Sequence, residues 1–488
     1  MKKLDQLTFT RFIAAFMVVL YHGGTGLFPF NFFPIVPLLT SGKTAVSYFF
    51  VLSGFVMALA YFRPNQRFDF RGYWTARFSR IYPVYLFSFV ITCFYYLDVI
   101  AKIRTEKILA SLFLYQAWIP TYALSFNIAA WSLSVEAFFY ILFPFLAIWA
   151  TRQPARRLIW ISIGLWVLSQ VVHAGLVNSL SADARNFLDY FPPFHLSSFL
   201  LGLAGGIWYL TESHRHTVAP SSTRMFLILA LALVAAALTG REYLPNLFSH
   251  FSLDVGLLAP FFLVIVLTLA LDATRLASVL SHPRLVLLGD ASYALYILHI
   301  PIRWFLERGI ALTNGVITYA EMYYVYLPLV IVLSVFVFVY LERPARDWLR
   351  KNIRMLWLFL LDTLLIAGTA ALSFYAMLGF GSNLKPYATA LTFVLRVGLP
   401  IYIFALILFR LYRPRARAQL FTRLLVSVGL GSLAVAGLLY WAWTQTWVSM
   451  NGFPRLILLL NGALLLVFLF VPRILLRPRP AISSEKAV

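Results

Sequence analysis

An all-α, polytopic integral membrane protein is predicted by three features of the 488-residue sequence. The chain is 61% hydrophobic and 17% aromatic but only 12% charged, more apolar surface than a soluble core requires. The apolar residues gather in runs long enough to span a bilayer. Lys and Arg, which leave a formal charge of +22, stand in short clusters between those runs. That is the pattern of inside loops flanking membrane spans, not of a nucleic-acid-binding stripe.

The runs fall at about 8–22, 44–62, 81–100, 132–150, 158–177, 194–210, 225–239, 251–271, 286–306 and 321–341, then 355–378, 387–411, 424–446 and 453–472. Fourteen spans return both termini to one side. The first run carries Arg11 near its start and His22 near its end. Eleven residues of helix put these groups about 16 Å apart along the axis, roughly half a bilayer core. An ionisable group inside the apolar slab is a functional candidate. Arg77 and Arg80 stand at the mouth of the third run, and 108–118 is too short to span and reads as interfacial or re-entrant. Trp131, Ser132, Ser134 and Glu136 open the fourth, and His299 lies in the ninth. A basic, proline-containing linker, Glu342–Arg354, divides the chain. Ahead of it the spans carry His, Glu and Ser. Beyond it four spans are mostly Leu, Val and Ala, with Asp362 and Arg396 as exceptions. This gives a membrane core over 1–350, a four-helix extension over 351–475 and a disordered cytoplasmic tail over 476–488.

With a cytoplasmic N-terminus, the inside loops hold Arg63, Arg67, Arg71, Arg77 and Arg80, then Arg152, Arg156 and Arg157, Arg215 and Arg224, Arg275 and Arg284, and the clusters at 343–354, 410–423 and 473–479. Roughly three quarters of the Lys and Arg then lie inside, as the positive-inside rule requires. Lys102, Arg104 and Lys107 are the exception. The expected location is the cytoplasmic membrane, with both termini cytoplasmic. The short basic start lacks a cleavage site after its apolar run, so the first span reads as retained. Cys93 is the sole cysteine, which excludes an intramolecular disulfide and a cysteine metal site. His214 and His216 read as solvated loop residues, not metal ligands.

Several stretches carry a pattern in fixed order: Arg11 and His22 with ten residues between them, SYFFVLSGFVMA from Ser47 to Ala58, WTARFSRIYPVY from Trp74 to Tyr85, WSLSVEAFFYILFP from Trp131 to Pro144, LGDASYALYILHIPI from Leu288 to Ile302, and LERPAR from Leu341 to Arg346. Together they resemble the membrane-bound acyltransferase-3 family, which includes O-acetyltransferases of bacterial surface polysaccharides. The resemblance covers about residues 5–350. It implies a ten-helix core that takes an acyl group from cytoplasmic acyl-CoA and delivers it to a hydroxyl, usually of a sugar, on the far side. Acyl-CoA is then a co-substrate, with no permanently bound cofactor.

Thioester-to-hydroxyl transfer needs a base, and imidazole suits neutral pH. His22 is the candidate base. Glu136 and His299, placed by topology at similar depth, complete the catalytic candidates, with Glu136 as an orienting or electrostatic partner. Arg11, Arg77 and Arg80 are candidates for donor binding, since guanidinium suits phosphate. Trp131, Ser132 and Ser134 face the acceptor or else form an interfacial belt. Ser53 with Gly54 reads as close helix packing before a nucleophile, and Glu342 as pairing with Arg343 or Arg346 at the membrane edge. Asp254 and Arg396 have no assigned role. Two departures stand out. Ala45 and Ser47 occupy positions where many members carry Gly and an acid. Four extra spans take the place of the esterase-like domain that some members carry. Delivery directly to a glycan or glycolipid acceptor is then the simpler expectation. The extra spans are candidates for holding a partner of polysaccharide assembly or a lipid-linked acceptor, beside membrane lipids. The alternative is a secondary transporter exporting a glycan or lipid precursor. Such proteins often show paired half-repeats, and this sequence has none.

Overall fold

The computed structural model describes residues 4–32, 35–96, 103–213, 219–244, 251–313, 315–379, 385–412, 417–448 and 453–475. Lys102, His214, His216 and the tail beyond 475 lie outside them. Among the described residues the regular structure is entirely helical, and eleven helices are long and apolar enough to cross a membrane. A bent pair, Pro283–Asp290 and Ser292–Ala311 at 53°, makes a twelfth. The protein is a multi-pass membrane protein.

Each of the fourteen apolar runs contains a helix, but two of the helices are short for a membrane span. The first, α1 (Asp5–Tyr21), has 17 residues and leaves His22 as its C-cap. The run at 251–271 yields only a 13-residue helix, Ala259–Leu271. Its front end is a 3-10 turn, Leu253–Val255, closed by Gly256 at φ +81°. Asp254 is therefore on a turn and not isolated in a span. Its carboxylate accepts from Thr44 Oγ1 at 2.9 Å and from Arg241 Nη1 at 3.3 Å, with Lys43 Nζ at 3.9 Å. The stretch at 108–118 does not span: it forms a short helix, Thr105–Leu112, and a 3-10 turn, Gln116–Trp118.

The chain divides into two units, Met1–Trp348 and Leu349–Val488. In the first, α2 (Ala45–Tyr61) and α3 (Pro192–Thr211) pack backbone to backbone. A methyl on Gly54 would strike the carbonyl of Phe199, and one on Gly202 the carbonyl of Val51. Gly54 thus does what its small size predicts in a membrane helix pair. Nearby, α4 (Phe70–Tyr95) and α5 (Trp131–Ala150) meet α6 (Ser292–Ala311) through Ile81, Val84, Tyr85, Leu133, Ile297 and Leu298.

Proline fixes the position of α6. Pro301 lies inside this helix and has no N–H to offer the carbonyl of Ile297 one turn earlier. Two side chains from elsewhere take that role: Asn127 Nδ2 donates to Ile297 O at 2.7 Å and Ser88 Oγ at 3.0 Å. The helix turn that carries His299 is thereby anchored at the Ile297 carbonyl. In the second unit, α7 (Arg343–Leu378) and the last helix, α8 (Leu456–Leu475), are joined by a buried bidentate pair. Arg473 donates to both carboxylate oxygens of Asp362, at 2.8 and 2.5 Å.

Candidate functional site

His22 and His299, 277 residues apart in sequence, meet. His299 Nε2 lies 3.1 Å from His22 Nδ1, with ring centroids 5.0 Å apart. His299 is fully buried and its Nδ1 lies 2.6 Å from the carbonyl of Tyr296. A carbonyl only accepts, so Nδ1 of His299 carries a proton and Nε2 carries a lone pair. The Nδ1 of His22 lies 2.9 Å from the carbonyl of Val18, so it too is protonated and donates both there and toward His299. Taken as neutral imidazoles, the two rings are consistently paired. What remains is Nε2 of His22, a lone pair with no hydrogen-bond partner among the described residues. This is the arrangement of a general base whose tautomer is set by its neighbour.

The basic residues gather round a cavity of about 540 Å³ lined by Arg11, Arg63, Arg77, Arg80, Glu136 and Tyr140, among others. α1 supplies Arg11, and α4 supplies Arg77 and Arg80 from consecutive turns. Arg77 is committed: Nη2 donates to Tyr61 OH at 3.1 Å, and the guanidinium lies over the rings of Tyr61 and Tyr140. Arg11 and Arg80 differ. Among the described residues neither donates a hydrogen bond or stands in ion-pair contact, so both are open to an anion.

Glu136 lies with these cations and not with the imidazoles. Its Oε2 accepts from Tyr140 OH at 3.0 Å, and its charge is within Coulomb reach of Arg80, Arg11 and Arg77. Among the described residues it makes no hydrogen bond to His22 or His299. Depth along a helix can be counted from sequence, but direction round its axis cannot, and Glu136 points to the arginines. A second acid joins it. Glu342 is buried on a π-helical turn, Phe338–Glu342. It feels Arg80 and Arg11 ahead of Arg346, and its Oε2 has no hydrogen-bond partner. The pairing with Arg346 that the sequence implies is thus present only as a weaker charge contact behind Arg80 and Arg11.

The three residues at the start of α5 have different fates. Trp131 is buried against Phe50, Tyr190 and His195. Ser134 is buried and accepts from the amide of Ala117 at 3.3 Å. Ser132 alone faces the cavity, where Oγ donates to Tyr296 OH at 2.8 Å. Tyr296 also lines the cavity, and its ring centroid is 6.0 Å from that of His299. Tyr296 thus stands between the arginine cavity and the imidazole pair.

A separate polar cluster sits behind Trp131. Lys43 Nζ lies 4.4 Å from the Tyr190 ring centroid and 3.6 Å from Asp189 Oδ2, with His173 Nε2 3.7 Å from Asp189 Oδ1. Burial works to raise the Asp189 carboxyl, yet contact with His173 and the Lys43 charge outweigh it and hold the group below its ordinary value. Every charge in the cluster is compensated, which marks it as structural.

Comparison with known proteins gives a consistent result. The family described as "Acyltransferase domain" matches residues 4–343. The chain is 28% identical over 305 residues to Acyltransferase MdmB of Streptomyces mycarofaciens, covering 59% of this chain and 74% of that protein. It is 26% identical over 286 residues to Peptidoglycan O-acetyltransferase OatA of Listeria monocytogenes, covering 54% of this chain and 45% of that protein. No solved structure matches.

Proposed function

Since the chain belongs to the acyltransferase-3 family, we propose that it moves an acyl group, acetyl in the simplest case, from cytoplasmic acyl-CoA to a hydroxyl of an extracytoplasmic or lipid-linked glycan. One observation carries this reading. An imidazole with a free Nε2 stands at one end of α1, and a cavity with two uncommitted guanidinium groups surrounds the other end. Phosphates of the donor would engage Arg11 and Arg80 in charge-assisted hydrogen bonds, with Arg77 held by Tyr61 at the cavity wall. The acyl-bearing arm would then pass Tyr296, whose displacement from Ser132 the reaction requires. His22 Nε2 takes the proton of the acceptor hydroxyl, and His299 accepts the strengthened hydrogen bond of the imidazolium.

The arginine-rich end faces the cytoplasm in this reading, as loop charge requires. Support for a glycan acceptor comes from the name of the Listeria relative, a peptidoglycan O-acetyltransferase. The experiment is transfer of label from [14C]acetyl-CoA to surface glycan, using membranes that carry wild type or His22→Ala. The variant is expected to leave the glycan unlabelled. Equal labelling from both would remove the proposed base.

A further inference from the structure

Arg303 follows His299 by four residues on α6, so the two side chains share a face. Its Nε lies 3.3 Å from Glu307 Oε1 one turn further on, with the Arg303 side chain 16% exposed. With Nε in ion-pair contact but donating no hydrogen bond, the guanidinium places Nη1 beside the end of α1. A methyl on Gly23 would stand 3.1 Å from Nη1, 2.5 Å from Tyr319 OH and 3.0 Å from the Tyr323 ring. A side chain at position 23 would therefore crowd this group together with the two tyrosines. Arg303 is in Coulomb reach of both His22 and His299.

The other donors around His22 are already in use. The amides of His22, Gly23 and Gly24 donate to Val18 O, Leu20 O and Leu20 O at 3.2, 3.2 and 2.7 Å. Tyr319 and Tyr323 donate to the carbonyls of Gly23 and Val19. The Nη groups of Arg303 donate to no described residue. An acyl-transfer base needs a donor close by, aimed at the oxygen on which negative charge develops.

We propose that Arg303 stabilises the oxyanion of the transfer step, an inference that rests on the reading of His22 as the base. The acceptor oxygen bonds to the thioester carbonyl carbon while its proton passes to His22 Nε2. The carbonyl π pair becomes the oxyanion facing Arg303. As the C=O re-forms, the C–S bond breaks and its electron pair leaves with sulfur. The proton passes from His22 to that thiolate, giving ester and free thiol.

The test is the saturating rate of label transfer from [14C]acetyl-CoA in membranes carrying the full chain, for wild type, Arg303→Gln, Arg303→Lys and Gly23→Ala. Arg303→Gln is expected to lower that rate by about 100-fold or more, the usual cost of one oxyanion donor. Its KM for acetyl-CoA and its binding of coenzyme A should be unchanged. Arg303→Lys, which keeps the cation, should retain clearly more activity than Arg303→Gln. Gly23→Ala, which crowds Nη1 together with Tyr319 OH and the Tyr323 ring, should slow turnover by less than Arg303→Gln does. A wild-type rate in Arg303→Gln overturns the proposal. So does a loss recovered by raising the acceptor concentration, which would make Arg303 an acceptor-binding group. If Arg303→Gln fails to fold, Gly23→Ala decides: unchanged turnover there overturns the proposal. His22→Ala separates the two levels. If it is inactive while Arg303→Gln is unaffected, only this inference falls. If His22→Ala is fully active, the reading beneath it falls.

Discussion

Replacing His299 with Phe tests whether the base is built from two rings. Phenylalanine keeps a flat ring of similar size in a site with no solvent exposure. It removes the acceptor that lies 3.1 Å from His22 Nδ1. The ground state loses little, because Nδ1 still donates to the Val18 carbonyl at 2.9 Å. The transition state loses more. As His22 gains a proton at Nε2, its bond to His299 becomes charge-assisted, and such a bond contributes about 1.5–3 kcal/mol. At about 1.4 kcal/mol per factor of ten, kcat should fall by about 10- to 150-fold. KM for acetyl-CoA should stay constant, since the donor cavity does not include His299. His299→Gln is the rescue: its Oε1 reaches the place of Nε2 and accepts the same hydrogen bond, so most of the rate should return. The assay is the label-transfer rate as a function of acetyl-CoA concentration. Full activity in His299→Phe, or equal losses in the Phe and Gln variants, would refute the paired base.

Arg80→Ala should weaken coenzyme A binding to the solubilised protein by about 10- to 100-fold, the worth of one charge-assisted phosphate contact; titration calorimetry reads this directly, and unchanged affinity would move the donor elsewhere. Gly54→Ala should lower the thermal midpoint in detergent through about 1–3 kcal/mol of overpacking against the Phe199 carbonyl. Gly164→Ala, where a methyl meets nothing within 4 Å, should match or exceed wild type by about 0.5–1 kcal/mol. In the second unit, Asp362→Leu leaves Arg473 buried without its partner and should destabilise by about 3–5 kcal/mol. Adding Arg473→Met should recover most of that loss in the same melting assay.

Much of the fold is legible in the sequence because a bilayer permits few answers. Backbone groups in lipid must bond internally, so a run of twenty apolar residues has one structure available to it. All fourteen runs accordingly hold helices. The failures sit where a polar group outbids the apolar run. Asp254 is drawn to Thr44 and Arg241, and that turns the front of its run into a 3-10 turn. Pro301 frees a carbonyl within α6, and no periodicity reveals that Ser88 and Asn127 will fill it. The π-helical turn Phe338–Glu342 adds a rotation ahead of Glu342, whose buried carboxylate lies within Coulomb reach of Arg80 and Arg11. A count of residues per turn cannot supply that rotation.

The site divides along the same line. Rise per residue gives depth, and depth alone led to His22, His299 and Glu136 as one group. Direction round the helix axis depends on which neighbours each helix packs against, and those are set by contacts hundreds of residues away. Two of the three converge and the third faces the opposite charge. That outcome has a physical logic. A carboxylate beside His22 would pull a proton onto the imidazole and favour the charged form before any substrate arrived. An imidazole partner leaves the base neutral until it takes the acceptor proton, while Glu136 and Glu342 sit among the arginines, where mutual repulsion of cations needs offsetting. One clue to the base's surroundings was present in the sequence all along. Arg303 lies four residues after His299, the spacing that puts a cation on the same helical face as the imidazole. Reading that spacing as a site requires knowing that His299 faces His22, and only the packed structure supplies this.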